Sequence, residues 1–330
     1  GCRLAPEMRK GACYMNFSFV ALQMVTVSLP ILVGWAAHKL GFMDDDFDVR
    51  LSTLVLNVSM PCMILASLGS AGGLPSTGEM LWMLAATATI LVVSGLLGYA
   101  LALLMRAPVD ERGIYQFIVM FGNCGFIGFP VVQAILGKGS LLLAAIGIIP
   151  SNILIFTAGV IMVSGEGGGW KRTLKDVAAC FKTPVLISSL VVTACVALGI
   201  SGFGVASDAL TIVGELTTPA ALLLTGSSIA RYEPLSMLAN WRAYVAAAGR
   251  LLAGPLLGLL LLRLLGQSLG FACPANVLAI AVLQMAMPVA SNGALYCLEY
   301  GKDAQPMMQG TFLSIILSIL TIPLVVLVSQ

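Results

Sequence analysis

Charge is what this 330-residue chain has least of: Asp, Glu, Lys and Arg make up 10% of it, against 59% hydrophobic residues. A soluble domain carries about a quarter charged residues, so the chain lies outside that class. Histidine is nearly absent as well. The single one, His38, closes an apolar segment, where a solvated or interfacial ring is expected. One histidine and scattered acids do not supply the clustered side chains an enzyme needs. None of the eight cysteines forms a C-x-x-C pair, and most fall in apolar segments as small buried hydrophobes, so no metal site is expected. No basic cluster interleaves with aromatics, and the net charge of +2 points to no nucleic-acid partner. The run Gly165-Glu166-Gly167-Gly168-Gly169 lacks the Gly-Lys-Ser/Thr ending of a phosphate loop and reads as a flexible linker. No polar stretch is long enough for the appended soluble domain of a sensor.

Long apolar runs are present instead, and the mean hydropathy is +1.00. They approach the ~20 residues needed to cross a bilayer. The reading is an all-α, multi-pass membrane protein with ten transmembrane helices. These are expected at 17–40, 48–68, 79–106, 112–136, 140–164, 183–200, 207–230, 241–264, 274–299 and 307–328. Residues 1–164 form a first five-helix repeat, 165–182 a connector and 183–330 a second repeat. The residues before Met15, with Arg3, Arg9 and Lys10, suggest either a signal peptide or an extension ahead of the true start. The stretch that follows runs too long for a signal sequence and reads as a first span. Loops after the odd-numbered spans hold eleven lysines and arginines, among them Lys39, Arg106, Lys171 and Arg231, against five on the other side. By the positive-inside rule the connector faces the cytoplasm and both termini face out. Five spans per half then insert the second half upside down. Sequence echoes support this: Asn57-Val58-Ser59-Met60-Pro61 resembles Glu215-Leu216-Thr217-Thr218-Pro219, and Trp82 and Trp241 open equivalent spans.

The fourth and ninth spans are interrupted mid-way. One carries Gly122-Asn123-Cys124-Gly125-Phe126-Ile127-Gly128-Phe129-Pro130, the other Met285-Ala286-Met287-Pro288-Val289-Ala290-Ser291-Asn292-Gly293. Backbone that leaves the helix inside a bilayer survives only where protein or a wet cavity covers it. A matched pair of breaks, one per half, points to a secondary transporter's binding site near the midplane. Gly122, Gly125 and Gly128 serve conformation and close packing, and Pro130 and Pro288 hold the breaks open. Asn123 and Asn292 can bind a carboxylate or satisfy freed backbone. Arg250 lies roughly 13 Å inside the eighth span, too deep to snorkel. It either meets the substrate, stands in for a coupling cation or clamps the breaks. Arg250→Ala and Asn123→Ala are expected to cut transport and spare folding. Gln284 and Asn57 are expected to line the cavity. Glu215 is a buried-acid candidate for a coupling proton or sodium ion. Asp44, Asp45, Asp46 and Asp48 read as a solvated acidic loop, and Ser59, Thr217, Thr218 and Ser291 as bonded within their own helices.

At these motifs the chain resembles the auxin efflux carrier family of plant exporters and bacterial permeases. The likeness rests on the 122–130 motif, Arg250-Leu251-Leu252-Ala253-Gly254-Pro255, Gln284-Met285-Ala286-Met287-Pro288 and Leu298-Glu299-Tyr300-Gly301-Lys302-Asp303. The resemblance implies an elevator-type carrier, with spans 1, 2, 6 and 7 as a scaffold that dimerises. Spans 3–5 and 8–10 would move, and broken helices 4 and 9 would cross at Pro130 and Pro288. Family substrates are small organic anions such as auxin, malate and malonate, and the expected location is a bacterial inner (plasma) membrane. The partners expected are the anion, the lipid bilayer and a second copy of the chain. No cofactor is expected beyond coupling to Na+ or H+. The rival readings are a sodium-coupled carrier of the bile-acid-symporter type, an anion channel and a membrane sensor.

Overall fold

Proline sets the course of several helices. The computed structural model describes residues 17–70, 73–165, 181–269 and 273–329. Four helical stretches among the described residues widen into π turns, and three of them, Val55–Ser59, Cys124–Gly128 and Gly249–Ala253, end two residues before a proline: Pro61, Pro130 and Pro255; the fourth is Ile155–Gly159. Proline lacks an N–H and its ring collides with the carbonyl four residues back. A widened turn absorbs that collision without ending the helix. The expectations about the chain start and about most of the 165–182 connector lie outside the described residues, as do Cys2, Cys13 and Cys180.

The described chain is all helical, apart from one isolated bridge between Gly122 and Val289. In order the helices are α1 (Phe17–Lys39), α2 (Asp45–Gly69), α3 (Thr77–Leu104), α4 (Val109–Met120), α5 (Cys124–Leu136), α6 (Lys138–Ser164), α7 (Pro184–Ala197), α8 (Val205–Ala230), α9 (Pro234–Leu238), α10 (Trp241–Ser268), α11 (Ala275–Met285), α12 (Asn292–Glu299) and α13 (Gln305–Ser329). Among the described residues, seven helices are long and apolar enough to cross a membrane: α1, α2, α3, α6, α8, α10 and α13. The protein is a multi-pass helical membrane protein. Its outer faces carry exposed Leu22, Leu96 and Leu320, which suits contact with lipid, while Tyr115, Phe117, Phe121 and Phe129 fill the interior.

Two packed groups share the interior. Helix α1 lies along α8, and α2 packs on α7 and α8. Helix α3 packs on α4, α6, α10 and α11, with α13 closing against α10 and α11. The first group depends on small residues. A side chain at Gly34 would run into the backbone of Leu223, and one at Gly226 into the backbone of Ile31 and Trp35. The two glycines face each other's helix and let the backbones touch.

The same group is tied at one end by polar side chains. Asp48 is buried, not part of a solvated loop as its neighbours suggest. It accepts hydrogen bonds from Ser227 Oγ and Arg231 Nη2, and Arg231 Nε also meets Asp45 at 3.1 Å. His38 Nδ1 lies 2.9 Å from Ser227 Oγ. Since Ser227 gives its one proton to Asp48, it must accept from His38, which places the ring proton on Nδ1. His38 is therefore partly buried in a network, not freely solvated. The correction arises because α8 brings Ser227 and Arg231 to the first turn of α2 from far along the chain.

Replacing Gly226 or Gly34 by leucine should separate α1 from α8 and destabilise the protein by about 1–3 kcal/mol. Thermal unfolding in detergent, followed by tryptophan fluorescence, should show a lower midpoint. An unchanged midpoint would rule out the close approach.

Candidate functional site

The residues between α4 and α5, and between α11 and α12, leave the helix and pair with each other. Asn123 N donates to Pro288 O at 2.7 Å, and Ala290 N donates to Phe121 O at 3.1 Å. These bonds flank the Gly122–Val289 bridge and form a two-residue antiparallel ladder in the interior. Val289 N donates to Ser314 Oγ of α13 at 3.0 Å. These freed backbone groups thus find partners within the protein. The paired segments are centred on Gly122 and Val289. Pro288 lies at the crossing, but Pro130 lies inside α5, beyond the Cys124–Gly128 π turn that accommodates its ring. The implied crossing at Pro130 is corrected accordingly.

Arg250 is fully buried and covers the carbonyl side of both breaks. Its Nε donates to Met287 O at 2.9 Å, and its Nη1 to Met120 O at 2.8 Å and Val119 O at 3.4 Å. Val119 and Met120 end α4, and Met287 follows the end of α11. Each helix C-terminus carries about −0.5 charge, so two of them roughly match one guanidinium. Among the described residues no carboxylate pairs with it. Two short charge-assisted bonds, each contributing about 1.5–3 kcal/mol, offset the roughly 2.5–3.5 kcal/mol that an arginine at this depth costs. A side chain at Gly122 would strike Arg250 Nη2, which is why this position must be glycine. Arg250 is a clamp behind the breaks and does not line a cavity, so its assignment to substrate contact is corrected.

The other face of the breaks opens into a cavity of about 420 Å³. Asn123 caps α5: its Oδ1 accepts from Phe126 N at 2.9 Å, and its Nδ2 donates to Ser291 Oγ at 3.0 Å. One amide proton of Asn123 and the hydroxyl proton of Ser291 are left over, both at the cavity wall. Asn292 opens α12 and lines the cavity. Gly125 lines it too, whereas Gly128 packs against Met287. From α2 comes Asn57, whose Nδ2 is held by Thr53 O at 2.8 Å. Asn152 and Ser151 of α6 complete the polar lining, with Phe121, Phe126 and Phe156 among the apolar walls. Among the described residues no Asp, Glu, Lys, Arg or His lines the cavity. The N-termini of α5 and α12 both face it.

Two further expectations change. Gln284 is buried away from the cavity, where its Nε2 donates to Ala144 O at 3.0 Å and ties α11 to α6. Glu215 is not a buried acid: its side chain is 62% exposed and pairs with Lys138 at 2.9 Å. Sequence reasoning passed over Asn152 and Ser314, and gave Ser291 only a bond within its own helix, whereas its hydroxyl oxygen accepts from Asn123. Asn152 had a signal, as an amide two residues after Pro150 within an apolar run. Ser314 had none, because its role exists only once α13 lies against the break.

Arg250→Met should destabilise the protein by about 3–5 kcal/mol, by analogy with removing one partner of a buried charged contact. Gly122→Ala should act in the same direction by dislodging the guanidinium. Thermal unfolding of purified protein tests both, and wild-type midpoints would reject the clamp.

Comparison with known proteins agrees with this architecture. Residues 19–326 match the membrane transport protein family. An uncharacterized transporter of Methanothermobacter thermautotrophicus is 25% identical over 312 residues, covering 91% of this chain and 95% of its own length. An uncharacterized transporter of Methanocaldococcus jannaschii is 23% identical over 309 residues, covering 91% of this chain and 96% of its own. The chain belongs to the membrane transport protein family, the auxin efflux carrier family its motifs resemble.

Proposed function

We propose that the protein is a secondary transporter for a small organic anion, and that the cavity at the paired breaks is its binding site. The observation carrying this reading is the convergence of two half-helix N-termini on a cavity that, among the described residues, has no ionisable wall apart from the Cys124 thiol. Each N-terminus contributes about +0.5 charge, so together they suit about one negative charge. Asn123, Ser291 and Asn292 supply directional donors beside them. Phenylalanine and aliphatic walls would receive the apolar body of a carboxylate.

On this reading the chain is a ten-span, 5+5 inverted repeat. The α5 and α12 breaks lie in equivalent spans, and α1, α2, α7 and α8 form a scaffold beside a moving group. The scaffold is also the surface through which a homodimer would form. The cavity mouth includes Thr183 and Pro184, just after the 165–182 connector. With the connector in the cytoplasm of a plasma-membrane protein and both termini outside, this is an inward-open arrangement. Alternating access follows if the moving group carries the breaks past the scaffold. Arg250 occupies the carbonyl ends where a sodium-coupled carrier would hold its cation. The proposed carrier therefore does not require sodium.

Uptake of labelled carboxylates into proteoliposomes tests the proposal, with and without sodium and proton gradients. Saturable, sodium-independent uptake is expected. Asn123→Ala should lower kcat/KM by about tenfold or more, the worth of one hydrogen bond to a charged group. Sodium dependence would favour the symporter reading, and non-saturating flux a channel. Failure to move any carboxylate, or wild-type rates in Asn123→Ala, would remove the assignment.

A further inference from the structure

A second pocket, of about 240 Å³, lies at the opposite end of the same helices. On α2 the main cavity reaches from Ser52 to Met60, whereas the second pocket uses Met63 and Ser67. Ser67 is fourteen residues beyond Thr53, or roughly 21 Å along the helix. On α6 the main cavity uses Ile148 to Phe156, and the second pocket uses Lys138 and Leu141 at the helix start. Helix α5 runs between them, with its N-terminus at the main cavity and Gln133 near its C-terminus at the second pocket. The two spaces therefore open toward opposite faces of the membrane.

The second pocket differs in chemistry. It holds Lys138 and Glu215, paired at 2.9 Å, together with the hydroxyl-bearing Ser67, Thr211 and Thr218. The pair joins α6 to α8, one helix from each packed group, so it bridges the boundary between them. Lys138 is 55% exposed and Glu215 62%, so both charges remain in contact with water. An exposed pair of this kind is held weakly, and a competing anion can replace the carboxylate.

We propose that this pocket is a second anion site, with Lys138 as its cation and Glu215 as an internal carboxylate that occupies Lys138 until an organic carboxylate displaces it. The proposal rests on the anion-carrier reading. It gives the anion a landing point on the face opposite the main cavity, and it makes loss of the Lys138–Glu215 bridge coincide with arrival of the anion there. Glu215 thereby acquires a role as a competitor for the anion and not as a carrier of a coupling ion.

The test reads the pocket directly and needs no turnover. Gln133→Cys places a thiol in the pocket wall, at a partly buried position outside the main cavity. In proteoliposomes that thiol is labelled with the anionic sulfonatoethyl or the cationic trimethylammonioethyl methanethiosulfonate, and labelling of the parent protein is subtracted. Glu215→Gln should raise the anionic-to-cationic rate ratio several-fold, and Lys138→Gln should lower it several-fold, since a unit charge at about 5 Å in water changes a rate about fourfold. Benzoate should slow labelling in Glu215→Gln and have no effect in Lys138→Gln. If the pair were only a mechanical latch, both substitutions would open it and shift labelling in the same direction. Shifts of equal sign, no shifts, or protection by benzoate that survives loss of Lys138 would each overturn the proposal. If wild-type protein moves no carboxylate while these opposite shifts and the Lys138-dependent protection by benzoate are found, the transport reading fails and the site stands.

Discussion

One guanidinium holds this structure's central irregularity together. Two helices stop inside the membrane-spanning region and leave carbonyls pointing at the same place, a combination that lipid or bare protein cannot tolerate. Arg250 answers both ends at once with bonds to Met287, Met120 and Val119. Much of the surrounding sequence follows from that demand. Gly122 must be small so that Nη2 can lie against it. The π turn at Gly249–Ala253 sits where Pro255 widens α10, and Arg250 lies within it. Ser314 satisfies Val289, a break N–H that the ladder does not reach.

The clamp also divides charge across the breaks. Helix C-termini and a guanidinium neutralise each other on the buried side. Two N-termini are left facing a cavity that no charged residue among the described ones lines. An oriented backbone field of this kind is pre-arranged and does not require a charged side chain to move with the ligand. On the proposed anion-carrier reading, a cation that is covalently part of the protein would keep the N-terminal side open to an anion whatever the sodium concentration. The polar donors Asn123 and Ser291 are themselves held by α5 and by each other, which fixes their remaining protons toward the cavity.

Opposite faces of the molecule use different physics. The main cavity relies on dipoles and amides. The pocket at the far end has a lysine and a glutamate exposed to water. A full charge attracts from a distance, and dipoles act within about a helix turn. On the proposed reading, an anion would exchange with Glu215 for Lys138 at one face and meet only dipoles, with no counter-charge to displace, at the other.

Composition and pattern alone determined the helical, membrane-spanning character, the positions of the long helices and the two breaks, because hydropathy and the glycine-proline chemistry of a break are local properties. Asn123 and Asn292 were legible for the same reason: an amide within an apolar break needs a polar surrounding. What only the tertiary structure decided were the partners. Arg250 could have faced substrate or backbone, and the choice depended on where α4 and α11 ended in space. Gln284 looked like a cavity residue because it adjoins the break, yet helix geometry turns it toward Ala144. Glu215 and Asp48 exchanged their expected burial because α8 presents Glu215 to an open pocket and carries Arg231 and Ser227 to Asp48. Burial and pairing of a charge depend on contacts between residues far apart in the chain, and no local pattern encodes those.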